Sequence, residues 1–152
     1  MTDQELALKL WVVLSRARNA VADRLETHMV GRGVTHGEFA VMEALYHKGP
    51  LLLGELQRKI LVSSGGVTYL VDKLAERGLV ERQACPSDRR ARYAVLTEAG
   101  RSWMDEFFPE HTRRLEEALG GLTEEQKAKA IALLRTLGLH AAGVAGAGVA
   151  PG

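Results

Sequence analysis

Apolar residues recur every three or four positions along the first part of the chain. Leu6, Leu10, Val13, Ala17, Val21, Leu25 and Met29 form one stripe, with no Gly or Pro before Gly31. Ahead of it, Thr2-Asp3-Gln4-Glu5 is a capping-box pattern, in which Thr2 accepts from the helix and Glu5 reaches back. A helix of this length spans roughly 40 Å at 1.5 Å per residue. That is longer than the core of a small monomer needs, so the stripe predicts packing against a second chain.

The same periodicity then returns in shorter pieces. Thr35-His36-Gly37-Glu38 is a second capping box and opens a helix over Gly37–His47, which offers Phe39, Val41, Met42 and Leu45 for burial and stops at Gly49-Pro50. A short helix follows from Leu53 to Ile60 with Leu53, Leu56 and Ile60 on one face. After a break at Leu61-Val62, Ser63 or Ser64 caps a third helix running to Arg77, with Gly78 as its left-handed stop. Helix, turn, helix with a basic, hydroxyl-rich second member is the spacing of a DNA-reading helix-turn-helix.

The period then changes to that of strands. Leu79–Ala84 and Arg92–Leu96 are β-leaning runs joined by Cys85-Pro86-Ser87-Asp88-Arg89-Arg90-Ala91, a turn-forming segment with paired arginines. This predicts a two-stranded hairpin with a basic tip, leaning on the helices beside it. Thr97 caps a further helix carrying Trp103, Phe107 and Phe108, with a kink or restart expected at Pro109. Thr123-Glu124-Glu125-Gln126 opens the last helix, and an Ala/Gly-rich segment over 141–152 is expected to be disordered. The fold class is mainly α with a small two- to three-stranded β-wing: one domain over 1–140, a winged helix-turn-helix over about 35–97, and long helices over about 3–30 and 98–138 on either side.

Composition sharpens this reading in two places. Hydrophobic residues make up 46% and charged residues 26%, which supports a buried core and excludes wholesale disorder. The net charge is only +1, yet Leu51–Tyr93 holds eight Lys/Arg against five Asp/Glu, so the surplus sits in the helix-turn-helix and wing. Clustered cations of that kind point to a polyanion. No run of apolar residues is long enough to span a membrane, and the polar, acidic start is unlike a secretory signal. A single cysteine, Cys85, forms no intramolecular disulfide and no thiolate zinc cluster. The expected setting is a reducing cytoplasm, with no membrane partner and no cofactor.

The motifs of enzymes are missing: the sequence has no Gly-x-Ser-x-Gly elbow, no P-loop and no dinucleotide fingerprint. The histidines at 28, 36, 47, 111 and 140 are scattered and set out no metal site.

Asp88-Arg89-Arg90 followed by Leu96-Thr97 and Gly100 resembles the wing signature of the MarR family of winged-helix transcription regulators, and Ser63–Val80 resembles its recognition helix and first strand. The resemblance spans nearly the whole chain apart from the tail. It implies a homodimer with a helical body and two lobes on pseudo-palindromic double-stranded DNA, and it implies a repressor. Segments 8–17, 38–49 and 85–90 resemble the subgroup responsive to hydroquinones and other aromatic electrophiles, which implies a small aromatic, phenolic or quinone-like effector.

Candidate residues follow from type and place. Ser63, Ser64, Thr68 and Tyr69 open the third helix, where hydroxyls and free backbone N–H groups meet phosphates and base edges. Gly65 and Gly66 leave that turn without bulk, and Lys73 is a candidate phosphate contact. Arg89, Arg90 and Arg92 suit a narrow minor groove or its phosphates; the resemblance assigns insertion to Arg90, oriented by Asp88. Trp11, Phe39, Met42, Tyr46 and His47 are candidates to line an aromatic effector pocket, with packing in core or interface as the alternative. Cys85, beside arginines, is a candidate redox sensor. Two other functions stay open at this stage: thiol-based sensing through Cys85, and a winged-helix module that docks protein rather than DNA.

Overall fold

A hydroxyl in the chain just before it fixes the start of every helix but the short one at Leu53–Ile60, whose N-cap is Leu52. A computed structural model describes residues 1–143, so the sequence expectation for the tail falls, from residue 144 on, outside the described residues. The helices are α1 (Asp3–Gly31), α2 (His36–Lys48), α3 (Leu53–Ile60), α4 (Ser64–Glu76), α5 (Glu98–Ala118) and α6 (Glu124–Ala141), and the strands are β1 (Leu51–Leu52), β2 (Val80–Cys85) and β3 (Asp88–Leu96). Thr2, Thr35 and Thr123 close complete capping boxes with Glu5, Glu38 and Gln126. Thr97 accepts from Gly100 N–H at 3.0 Å and donates to the Gly78 carbonyl at 2.6 Å, so one side chain caps α5 and holds the turn before β2.

The sheet has three strands, the upper end of the two- to three-stranded expectation, and the third lies where the sequence pattern marked no strand. Leu51 and Leu52 pair antiparallel with Ala94 and Tyr93, giving a three-stranded sheet in the order β1-β3-β2. Two residues are too few to show a period. Their pairing is set by Gly49-Pro50, which turns the chain from α2 onto the sheet edge.

The core lies in the lobe. Val41, Met42 and Leu45 of α2, Leu56 of α3, Val67, Val71 and Leu74 of α4, Val80 and Ala94 of the sheet, and Met104 and Phe107 of α5 are all essentially inaccessible. Gly100 permits the tightest approach, since a Cβ there would stand 2.0 Å from the Leu79 carbonyl oxygen.

α5 corrects one expectation. It is continuous through Pro109 and does not restart. Proline removes the N–H that would bond the Asp105 carbonyl, at a typical cost of ~3 kcal/mol. Pro109 and Asp105 are both exposed, where solvent can take that carbonyl, while Phe107 and His111 on either side are buried and hold the helix together.

The flanking helices are bare by comparison. In α1 only Leu25 and Met29 are buried, and α6 buries nothing. Leu10, Trp11, Val13, Ile131 and Leu133 are between 53% and 72% exposed, far more than apolar side chains of a finished core. The predicted stripe is therefore present but uncovered along its first half. No helix among the described residues is long and apolar enough to cross a membrane.

Candidate nucleic-acid interface

α4 divides cleanly into two faces. Val67, Val71 and Leu74 point into the core, and Ser64, Gly65, Thr68, Tyr69, Asp72 and Lys73 face outward. Ser63 is the N-cap, its hydroxyl accepting from Gly66 N–H at 3.0 Å. Its role at the helix start is thus partly structural. The two glycines differ in kind. A Cβ on Gly66 would press within 3.1 Å of the Ser63 hydroxyl, whereas a Cβ on Gly65 would meet nothing within 4 Å. Gly66 serves the cap. Gly65 has no reason inside the chain.

The helix is braced against its neighbours. Asp72 pairs with Arg82 of β2 at 2.7 Å, and Arg77 just past α4 donates to the Gly33 carbonyl at 2.7 Å and meets Glu38 of α2 at 3.4 Å. Lys73 is already engaged, 3.8 Å from Glu76 and 5.6 Å from the Tyr69 ring centre. Tyr69 itself is 61% exposed.

β2 and β3 form the wing around a two-residue turn, Pro86-Ser87, with Cys85 opposite Asp88 and a bulge between Ala84 and Cys85. Asp88 accepts the backbone N–H of Arg90 at 2.9 Å, which fixes the chain direction at the tip without touching the guanidinium. Arg89 and Arg90 are exposed, and among the described residues neither forms an ion pair with a carboxylate. Arg92 behaves differently: it folds back and donates to the carbonyls of Arg89 and Ala91 at 2.8 and 2.9 Å. It braces the wing.

Cys85 is buried under this turn, its Sγ 3.3 Å from the Ser87 hydroxyl. The thiol is held below its usual pKa by the Ser87 hydroxyl first, then by Ser87 and Asp88 backbone N–H groups and the Tyr93 hydroxyl. The cause is the turn itself, not the arginines that the sequence placed nearby.

The five residues expected to line one aromatic pocket are not brought together within the chain. Phe39 and Met42 are core residues, the latter wholly buried. Tyr46 donates to Asp105 at 2.5 Å and lies under Arg101, and the His47 ring lies 5.2 Å from Phe108. Trp11 stands apart, 68% exposed on α1. It borders a cleft of about 1050 Å³ whose walls include Leu14, Leu25, His36, Leu122 and Leu134. Helical spacing on α2 marks a face for burial but does not distinguish core from pocket wall.

A feature the sequence did not flag joins the body to the lobe. Phe107 of α5 stacks on Trp103 at 4.6 Å, on His28 of α1 at 4.5 Å and on His111 at 5.2 Å, and Phe39 of α2 closes on His111 at 4.4 Å. His28 Nε2 and His111 Nδ1 are buried without a hydrogen-bond partner among the described residues. Both imidazoles are held below the usual pKa, mainly by burial, with Arg114 adding to the effect at His28 and His28 itself at His111. The signal was scattered over three helices, which no local motif reports.

Comparison with known proteins agrees with this architecture. The MarR family profile matches residues 34–91, from the start of α2 to the wing. The HTH-type transcriptional regulator MhqR of Bacillus subtilis is 41% identical over 137 residues, covering 90% of this chain and 94% of the relative. Two solved structures share the fold. A MarR family transcriptional regulator of Streptomyces coelicolor, Sco3205, in complex with DNA, superposes with a TM-score of 0.78 at 24% identity over 92% of this chain and 89% of that one. NadR in complex with 4-hydroxyphenylacetate does so with a TM-score of 0.74 at 22% identity over 84% and 90%. The relative matched over most of both lengths is a transcriptional regulator rather than an enzyme, and the chain belongs to the MarR family of DNA-binding transcriptional regulators.

Proposed function

We propose that the protein works as a cytoplasmic homodimeric repressor that grips a pseudo-palindromic operator and lets go when a small aromatic, phenolic or quinone-like effector binds. The observation that carries the DNA-binding part is the outer face of α4, where Ser64, Gly65, Thr68 and Tyr69 stand exposed on a helix anchored by three buried side chains. In this reading those groups, with the backbone N–H groups at the α4 start, enter a major groove. Arg90, with Arg89 beside it, reaches the flanking minor groove, where narrow A·T-rich DNA concentrates negative potential. Arg92 and Asp88 hold the wing in shape, and Lys73 reaches phosphate only by leaving Glu76.

The dimer is supported by the uncovered apolar surfaces of α1 and α6 and by the cleft beside Trp11, which a second copy would fill. Assembly would also change the setting of Trp11, so an aromatic pocket shared between copies is compatible with the separation seen within one chain. An effector that prefers one lobe spacing over another lowers DNA affinity by that preference. The aromatic class rests on the resemblance and on NadR, which was solved with a phenolic acid.

The test is a fluorescence-anisotropy titration on the DNA upstream of the protein's own coding sequence, repeated over a salt series and with hydroquinone added. Specific binding with a steep loss of affinity at higher salt, relieved by hydroquinone, is the expected result. Failure to bind any duplex would leave a protein-docking winged helix instead.

Cys85 favours a second reading, thiol sensing, because the Pro86-Ser87 turn stabilises its thiolate at the base of the wing. A Cys85→Ser protein that releases DNA normally with quinone rules that reading out.

A further inference from the structure

Helices that end on a left-handed residue end on glycine in this chain, with one exception. Gly33 after α1, Gly49 after α2, Gly78 after α4 and Gly143 after α6 have φ between 69° and 76°. α3 ends instead on Leu61 at φ 53°, among the described residues the only one other than glycine with positive φ. The N–H groups of Leu61 and Val62 both close the helix on the Gln57 carbonyl. Glycine makes such a stop without strain, whereas a Cβ in the left-handed region crowds the following carbonyl oxygen.

The core does not explain the leucine. Ile60 and Val62 on either side pack against the lobe interior, but Leu61 is 41% exposed. What its side chain meets is α6. Gly138 stands so close that a Cβ there would lie 2.9 Å from the Leu61 Cδ1, and Leu139 shares a cleft wall with Leu61. Gly138 and Leu139 are half-buried, while residues 131–137 of the same helix are all exposed. α6 thus meets the lobe at its last turn. Only Val62 separates Leu61 from Ser63, the cap of α4, so a displacement at Leu61 passes almost directly to the start of the DNA-facing helix.

We propose that Leu61 is a positioning residue for DNA binding: its side chain, seated against Gly138, acts as a strut that fixes the angle of α4 relative to α6. Glycine at this stop would relieve the strain and lose the strut. The inference rests on the proposed dimer, in which α6 belongs to the shared body and each lobe is aimed from it. Two α4 helices then have one preferred separation, and half-sites about one helical turn apart match it. Without the strut each lobe swings and reads neighbouring separations almost equally well.

The experiment measures affinity by fluorescence anisotropy on the palindromic duplex upstream of the coding sequence, and on duplexes with one base pair added or removed at its centre. One base pair turns a half-site by roughly 35°, so the wild type should bind each altered duplex about tenfold more weakly. Leu61→Gly and Leu61→Asn, both at ease in the left-handed region, should melt within about 3 °C of the wild type. Both should bind the three duplexes within about threefold of one another. Leu61→Met regains the reach to Gly138 and with it the discrimination. A Leu61→Gly protein that keeps the wild-type discrimination overturns the proposal, whether or not its affinity falls uniformly. So do Gly and Asn variants that melt far lower, since Leu61 is then packing for the lobe. A wild type indifferent to spacing refutes the two-lobed dimer, and this inference falls with it. A discriminating wild type beside a discriminating Leu61→Gly leaves the dimer standing and removes only the strut.

Discussion

Replacing Gly65 by Ala separates what the fold requires from what DNA requires. Gly65 lies in the first turn of α4, its φ is not positive, and an added Cβ meets nothing within 4 Å. Alanine should therefore be stabilising, through helix propensity and a less flexible unfolded chain, by about 0.4–1 kcal/mol. For a chain of this size that raises the melting temperature by about 1–4 °C. The neighbouring Gly66→Ala supplies the control. There the new methyl presses on the Ser63 hydroxyl at 3.1 Å, and a disturbed cap costs about 1 kcal/mol, cancelling the propensity gain. If Gly65 exists to let the α4 turn approach DNA, its Ala variant melts higher and binds operator more weakly, by about 1–3 kcal/mol. Differential scanning calorimetry and anisotropy at matched salt give the two numbers. A Gly65→Ala protein that melts lower refutes the empty space around the residue. One that melts higher and binds as tightly refutes the close approach.

Other substitutions test other joints. Gly100→Ala places a methyl 2.0 Å from the Leu79 carbonyl oxygen, so the start of α5 must shift from the sheet; a loss of about 1–3 kcal/mol in urea unfolding is expected. Arg90→Ala leaves the fold unchanged and weakens operator binding by about 1–3 kcal/mol, while Arg92→Ala acts through wing stability because its guanidinium holds the Arg89 and Ala91 carbonyls. Leu10→Glu combined with Leu133→Glu should leave a folded monomer by analytical ultracentrifugation, since both side chains are more than half exposed in the single chain. His28 and His111 predict the pH response: their pKa values are depressed in the folded state, so the unfolded chain binds more protons and stability rises with pH. Stability is full above about pH 6.5 and falls below it by up to ~1.4 kcal/mol per pH unit for each histidine; His111→Phe should flatten part of that slope in melting curves between pH 7 and 5.

The elements easiest to read from the sequence were those whose cause is local. Four threonines and Ser63 announced helix starts because a cap needs only its own next three residues. The wing was legible from turn chemistry, although its connection is only Pro86-Ser87, with Cys85 facing Asp88, and Asp88–Ala91 of the expected turn segment belong to β3. What stayed hidden depends on distant partners. β1 exists because Leu51 and Leu52 meet Ala94 and Tyr93 some forty residues on. Pro109 reads as a break in isolation, yet its helix is held by Phe107 and His111 packing elsewhere. The candidate effector residues show the same limit. Phe39 and Met42 share one helical pattern with Tyr46, but whether a side chain on that pattern fills a core or lines a cavity is decided by α5, which the pattern does not contain.

The packing around Phe107 also bears on how a signal in the body could reach the lobe. α1, α2 and α5 meet there through packed rings, with the pKa values of His28 and His111 lowered mainly by burial and one nitrogen of each unpaired among the described residues. An unmade hydrogen bond on a buried polar group typically costs about 1–3 kcal/mol. The joint is therefore held by shape and dispersion, and its polar atoms gain from any rearrangement that gives them a partner. The cross-links made by charge lie farther out: Arg32 meets Glu106 at 3.3 Å on the surface, where such pairs contribute little, and Arg77 meets the largely covered Glu38 at 3.4 Å. A contact of this kind resists crushing but not re-registration. A ligand that supplied a partner to His28 or His111 would favour a shifted ring stack over the present one, and α5 runs from that stack to Thr97 and the wing.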